Sequence, residues 1–219
     1  MARRLDGSAV PFWYTRALSL DLATLRHRSL LLKSEPCFGV TLSGLSAREH
    51  PSLRNWLQER GSLTRRLRAL CGPSFRVAVL GEAWRQPFHG EAARLRSHPR
   101  RRVWTREVAL LAGDRPLIVA RSLMPHGMLR GRHAALIRLG QRPLGDWLFT
   151  NPDLTRLALE FARVQPEQWH GLPPLADAGG TAVWGRRALY RIGRQRLLVC
   201  EFFLPALFRL EDEAHGYSG

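Results

Sequence analysis

The sequence predicts an α+β fold, an antiparallel β-sheet covered by helices. Two observations carry this expectation. Two pairs of apolar runs are joined by short turn segments, Gly113-Asp114 and Gly193-Arg194-Gln195, as in β-hairpins. Segments with apolar residues at helical spacing lie before and between those pairs, and hairpins separated by helices make an antiparallel sheet with helical cover. At 219 residues the chain suits one domain with a core of its own.

Residues 1–45 show no clear period and are expected to pack on the main domain as an extension. Pro51 to Arg60 places Leu53, Trp56 and Leu57 on one helical face, and Gly61 stops it. Ser62 can cap a second helix carrying Leu63, Leu67 and Leu70, which Cys71-Gly72-Pro73 ends. Phe75 to Trp84 alternates as a strand, and a polar, basic stretch follows to Arg102. Val103 to Leu123 reads as a hairpin about Gly113-Asp114, and Gly131 to Leu139 as a short helix. RPLGDWLF, 142–149, reads as a turn and a further helical piece. Asn151-Pro152 resembles a helix start, with Leu154, Leu157, Ala158 and Phe161 on one face. The Pro- and Gly-bearing segment from Val164 to Thr181 reads as a loop. Trp184–Ile192 and Arg196–Leu204 form the second hairpin. The domain is therefore expected over 46–208, with 209–219 as a tail.

Composition narrows the function. No run of 18 apolar residues predicts a membrane-spanning helix, and residues 1–16 lack the apolar core of a secretory signal. Cys37, Cys71 and Cys200 are widely spaced and odd in number, which fits a reducing cytoplasm rather than a disulfide framework or a zinc site. The net charge of +16 invites a nucleic-acid reading, but Lys33 is the only lysine and the arginines are spread along the chain. The densest run, RSHPRRR at 96–102, reads as a solvated loop. Such a charge still makes a positive field that draws in small anions. His126 and His133 match no common metal spacing, there is no Gly-rich phosphate loop, and Cys200 sits in an apolar run as a core thiol.

The remaining signals are charges inside apolar strands. If Ala112 pairs with Arg115, then Arg106 stands directly opposite Arg121, where like charges repel. Buried on such a face, both would need an anion. Glu201 in LLVCEFFLP is a lone carboxylate in a run that otherwise reads as core. Two explanations stand side by side: an anionic ligand, or salt bridges such as Glu201 with Arg186 across the last hairpin, with the two arginines turned to solvent.

The segments REVALLAGDRPLIVARSLMP, LGQRPLGDWLF, LTR and WGRRALYRIGRQRLLVCEFFLP, taken in order, resemble the chorismate lyase family. That resemblance implies a single antiparallel sheet with helices packed on one side and an enclosed, largely apolar ligand pocket. It implies an enzyme that splits chorismate into 4-hydroxybenzoate and pyruvate at the start of ubiquinone synthesis, with no metal and no organic cofactor. By motif, Arg106 in W-x-R-E takes the ring carboxylate and Leu144 in P-L-G makes a backbone contact. Glu201 in E-x-F-L-P hydrogen-bonds the 4-oxygen and, when buried, would favour its protonated form. Arg121 in A-R-S-L-M-P provides a field for the enolpyruvyl carboxylate or for a product leaving, and Leu63 is a pocket contact. Glu201 and Arg106 are thus the catalytic pair, and Leu144, Arg121 and Leu63 complete the substrate contacts. Since chorismate carries two carboxylates, two arginines would be attracted through the ligand.

The expected partners are chorismate and its product, with no nucleic acid and no membrane insertion, and the chain is expected to act as a monomer. Two other readings compete. A non-catalytic domain of the same fold could bind a small aromatic acid, as in some transcription regulators, but residues 1–45 are poorly patterned for a DNA-binding unit. A nucleic-acid binder would interleave arginine with exposed aromatics, whereas Trp104, Phe202 and Phe203 lie in apolar strands.

Overall fold

The computed structural model describes residues 28–45, 49–170 and 181–216. Most of the segment 165–180 and all of residues 1–27 lie outside them. Six strands, β1 (Phe75–Arg85), β2 (Val103–Ala112), β3 (Arg115–Met124), β4 (Leu154–Val164), β5 (Val183–Ile192) and β6 (Gln195–Phe203), form one sheet. Every pairing is antiparallel, in the order β1-β2-β3-β6-β5-β4. Two three-stranded meanders therefore meet where β3 pairs with β6. The described residues include five α-helices: α1 (Leu53–Leu57), α2 (Leu63–Cys71), α3 (His89–Leu95), α4 (Leu144–Leu148) and α5 (Pro205–His215). None of them is long and apolar enough to cross a membrane.

The front of the sheet carries two apolar clusters. Val108, Leu110, Ile118, Ala120 and Phe203 pack under α1, α2 and α5. Met124, Ala188, Tyr190, Leu197 and Val199 pack under α4 and the 3-10 segments at 126–138. On the back, Ala109, Val119, Leu123, Leu198 and Phe202 meet Leu31, Leu32 and Trp169, with Phe88 and Leu95 of the α3 region. Four helices thus share the front, and α3 covers the back together with residues 28–38. The expectation of helices on one side is met apart from α3. That short helix was hidden in the polar stretch after β1, because it buries only Ala92 and Leu95 of its apolar residues.

Two expectations are corrected. Residues 151–163 are not a helix: 154–164 form β4 and pair with β5. The apolar residues mimic helical spacing because Leu157 is an extra residue, 40% exposed, between paired Arg156 and Ala158. Past that bulge the inward alternation changes phase, so Leu159 and Phe161 reach the front while Ala162 and Val164 reach the back. Sheet pairing then overrides the capping signal of Asn151-Pro152. Helix α5 runs from Pro205, in its first turn, through Arg209 to His215.

The second correction concerns the hairpin of β2 and β3. Ala112 does pair with Arg115, but the register shifts by one before Leu110 pairs with Ile118. Leu117 is the extra residue, and it is fully buried in the front cluster. Pro116 supplies the cause: with no N–H it cannot complete the ladder, so the strand bulges beside it. Arg106 consequently faces Ser122, and Arg121 faces Glu107. Arg106 and Arg121 lie on opposite faces of the sheet and do not repel as neighbours.

Deleting Leu117 would return the hairpin to the even register and force Arg106 or Arg121 to the wrong face. The deletion variant is expected to give no cooperative thermal transition. Leu117→Ala, which keeps the register, should fold with a loss of about 2–5 kcal/mol in denaturant unfolding. A deletion variant that melts like the wild type would refute the assignment of the bulge.

Candidate active site

The two front clusters leave a gap at the middle of the sheet, and the polar residues of five strands fill it. Across the register, Glu82 faces Arg106 and Arg106 faces Ser122. One step along, Ala120 faces Glu201 and Glu201 faces Arg186. Above this patch α2 and α4 form the roof. Ser62 caps α2 by accepting from the Arg65 amide at 3.3 Å, which places Leu63 and Thr64 at the rim. Gly145 lets α4 approach closely, for a β-carbon there would stand 2.7 Å from the Thr64 hydroxyl oxygen. Arg68 and Asp146 clip the two helices together at 2.8 Å. The cavity beneath it is small, about 50 Å³.

Arg106 is 2% exposed and held on its far side. Its guanidinium donates to Glu82 and to the carbonyls of Gly140 (2.7 Å) and Arg142 (3.2 Å). The turn that supplies those carbonyls has Gly140 at φ +55°, a left-handed conformation suited to glycine. It leads through Pro143 into Leu144, the first residue of α4. Early amides of a helix have no carbonyl partner within it, so the Leu144 N–H is free to meet an anion. Arg106 is therefore anchored before any ligand arrives, with two of its five N–H donors unclaimed by these bonds.

Glu201 lies on β6 with its side chain 13% exposed, and it accepts from Arg186 Nε at 2.7 Å. Arg186 in turn donates to the Glu59 carbonyl at 2.9 Å and, at 3.4 Å, to those of Trp56 and Leu57 at the end of α1. Both explanations of Glu201 are thus present together: the ion pair across the hairpin exists, and both its members line the cavity. Tyr190 completes this side. Burial and the nearby Glu201 charge push its hydroxyl up, against the opposing pull of Arg186 and Arg156.

The structure brings Leu63, Arg106, Leu144 and Glu201 to one cavity. Arg121 does not join them. It is fully buried on the back, where Nε and Nη2 grip Glu91 at 2.8 and 3.1 Å and Nη1 reaches Glu107 at 2.9 Å. Glu107 also accepts from Ser29 and from the Leu30 amide, and Glu91 from the Phe88 amide. Burial works against the Arg121 charge, but its two carboxylates outweigh burial and hold the guanidinium protonated. Arg121 needs no ligand; its anions belong to the protein. Arg186 and Tyr190 were missed as pocket residues. The readable signal was the position of Arg186 opposite Glu201.

Other groups stay outside. Burial pushes the Cys200 thiol well up, as expected of a core cysteine. His126 stacks on Trp84 and His133 meets the edge of Trp147. No group of three metal-ligating side chains occurs among the described residues.

Residues 45–212 match the family model described as chorismate lyase. A probable chorismate pyruvate-lyase of Methylococcus capsulatus is 42% identical over 164 residues, 74% of this chain and 100% of that protein. One of Halorhodospira halophila is 44% identical, covering 72% of this chain and 84% of that one. Among solved structures, the C-terminal domain of a histidine utilization repressor from Pseudomonas syringae superposes with a TM-score of 0.46 at 12% identity. It covers 60% of this chain and 92% of that domain.

The placement of Arg121 yields a test. Arg121→Met leaves Glu91 and Glu107 buried without their cation and should lower stability by about 3–5 kcal/mol. The folded fraction should bind a front-face ligand as the wild type does. A variant that melts normally but loses ligand affinity in calorimetric titration would return Arg121 to the binding site.

Proposed function

The chain belongs to the chorismate lyase family, and on that premise we propose that its front-face cavity cleaves chorismate into 4-hydroxybenzoate and pyruvate. One observation carries the assignment of the site: Leu63, Arg106, Leu144 and Glu201, far apart in sequence, line one cavity. The reaction breaks the ring C–O bond to the enolpyruvyl group and removes the neighbouring C4 hydrogen. The three-carbon unit leaves as pyruvate, one hydrogen richer, and the ring becomes aromatic. Aromatisation supplies the driving force, so the protein's task is to hold one reactive conformer away from water.

The anchored fork of Arg106, with the Leu144 amide, takes the ring carboxylate. Glu201, held by Arg186, meets the 4-hydroxyl and fixes the rotation of the ring. The second cation for a dianionic substrate is Arg186 rather than Arg121, because Arg186 lines the cavity and Arg121 lies behind the sheet. Apolar walls from Leu63, Val108, Leu148 and Val199 keep the reacting bonds dry. The reading needs no metal or organic cofactor. It places the enzyme in a reducing cytoplasm, at the start of ubiquinone synthesis, as a monomer without a nucleic-acid partner. Its three cysteines are all free thiols, which supports the reducing compartment.

Purified protein should release pyruvate from chorismate, followed by coupled oxidation of NADH, at the same rate with and without a chelator. Folded protein that releases none would end this reading. Arg106→Ala should abolish tight binding of 4-hydroxybenzoate and Arg106→Lys should restore only part, since an ammonium presents no bidentate fork. Both changes should also lower stability, because the Gly140 and Arg142 carbonyls lose their donor.

Glu201 separates binding from packing. Glu201→Gln retains an acceptor for Arg186 and a partner for the 4-hydroxyl, and should bind product close to normally while losing turnover. Glu201→Ala should weaken product binding by about 1–3 kcal/mol in calorimetric titration. Equal affinity in wild type, Gln and Ala proteins would remove Glu201 from the site.

A further inference from the structure

A second concave site lies at the far end of the sheet from α1 and α5. It is formed where the turn after α3, the start of β2, the exit of β3 and the β5–β6 turn come together. Its volume is about 460 Å³, within the usual range of small-ligand sites, about 300–1,000 Å³. Six arginines from these separate segments line it: Arg96, Arg101, Arg102, Arg130, Arg194 and Arg196. Among the described residues no carboxylate lines it and none of the six forms an ion pair.

That convergence is not a consequence of a basic chain alone. Several arginines elsewhere are matched to carboxylates: Arg66 to Glu59 and Glu211, Arg68 to Asp146, Arg94 to Glu160, Arg115 to Glu213. Arg96 is also the one described non-glycine residue with positive φ, +53°, at the left-handed end of α3. Glycine or asparagine would take that conformation at less cost. Arg196 feels the crowding, for loss of water and the charges of Arg96 and Arg191 pull its guanidinium down. Uncompensated guanidiniums around a concavity favour an anion with several charges on a small frame, and their forks match the oxygens of phosphate.

We infer that this groove binds a small, multiply charged phosphate compound, of the kind represented by inorganic pyrophosphate. A bilayer is disfavoured as the occupant because the exposed large hydrophobics, Val40, Phe149 and Leu157, all lie outside the groove. A nucleic acid is disfavoured because the groove offers no open aromatic platform: the ring of His126 is already stacked on Trp84. The site is separate from the cavity on the front face, and no residue lines both.

The test titrates pyrophosphate into the full-length protein by calorimetry at fixed ionic strength, with equimolar chloride and sulfate as controls. One saturable site is expected, at least tenfold tighter for pyrophosphate than for sulfate. Arg101→Ser combined with Arg130→Ser and Arg194→Ser should weaken it at least tenfold, with melting temperature and chorismate turnover unchanged. These three side chains are exposed and make no ion pair, so folding is preserved. Absence of binding, or binding that the triple variant retains, overturns the inference. So does a groove-dependent preference for phosphatidylglycerol vesicles or a single-stranded oligonucleotide that pyrophosphate does not displace. Because turnover is read on the same variant, failure here leaves the lyase assignment untouched, and loss of chorismate cleavage leaves the groove to be judged by titration.

Discussion

The bulge at Leu117 is the constraint on which the arrangement of charge depends. One extra residue beside Pro116 changes the phase of β3 against β2, so the two strand arginines leave by opposite faces. Had the ladder stayed regular, two guanidiniums would share one face about 5 Å apart. With the bulge, each is surrounded by its own set of acceptors. Burial makes this obligatory, since an unpaired charge in the interior is far more costly than a local break in pairing.

The same level of the sheet then carries polar rows on both faces, built differently. On the back, Glu107, Arg121, Cys200, Arg187 and Glu160 are successive partners across five strands. That row neutralises itself: Arg121 binds Glu107 and Glu91, and Arg187 binds Glu160 and Glu35. It also ties α3 and residues 29–35 to the sheet through Glu91, Ser29 and Glu35. On the front, Glu82, Arg106 and Ser122 form one row, with Glu201 and Arg186 beside it, under a roof that leaves a cavity. The back row is glue. The front row keeps its donors for a ligand, because Arg106 and Arg186 are anchored by backbone carbonyls on the side away from the cavity.

Charge elsewhere follows the supply of carboxylates. With 18 acidic residues against 34 basic ones, some arginines must go unmatched. Six of these come together around one groove. The front cavity and the basic groove therefore hold their arginines in two ways, one with internal carboxylates and one with no ion pair among the described residues.

The sequence by itself determined the hairpins, the helix pair before β1 and four residues that line the front cavity, Leu63, Arg106, Leu144 and Glu201. Those signals are local: turn dipeptides, caps, and charged residues in apolar strands within family motifs. The family motifs were enough to assemble Arg106, Leu144 and Glu201 into one site before any contact was visible. What only the tertiary structure decided was phase and partnership. A single inserted residue at Leu157 made a strand look helical, and another at Leu117 moved Arg121 to the opposite face. A strand's side chains alternate with a period of two, so a one-residue slip reverses every later assignment of inside and outside. Which carboxylate neutralises which arginine depends on elements far apart in the chain, as with Glu91 and Arg121, and no local pattern records that distance.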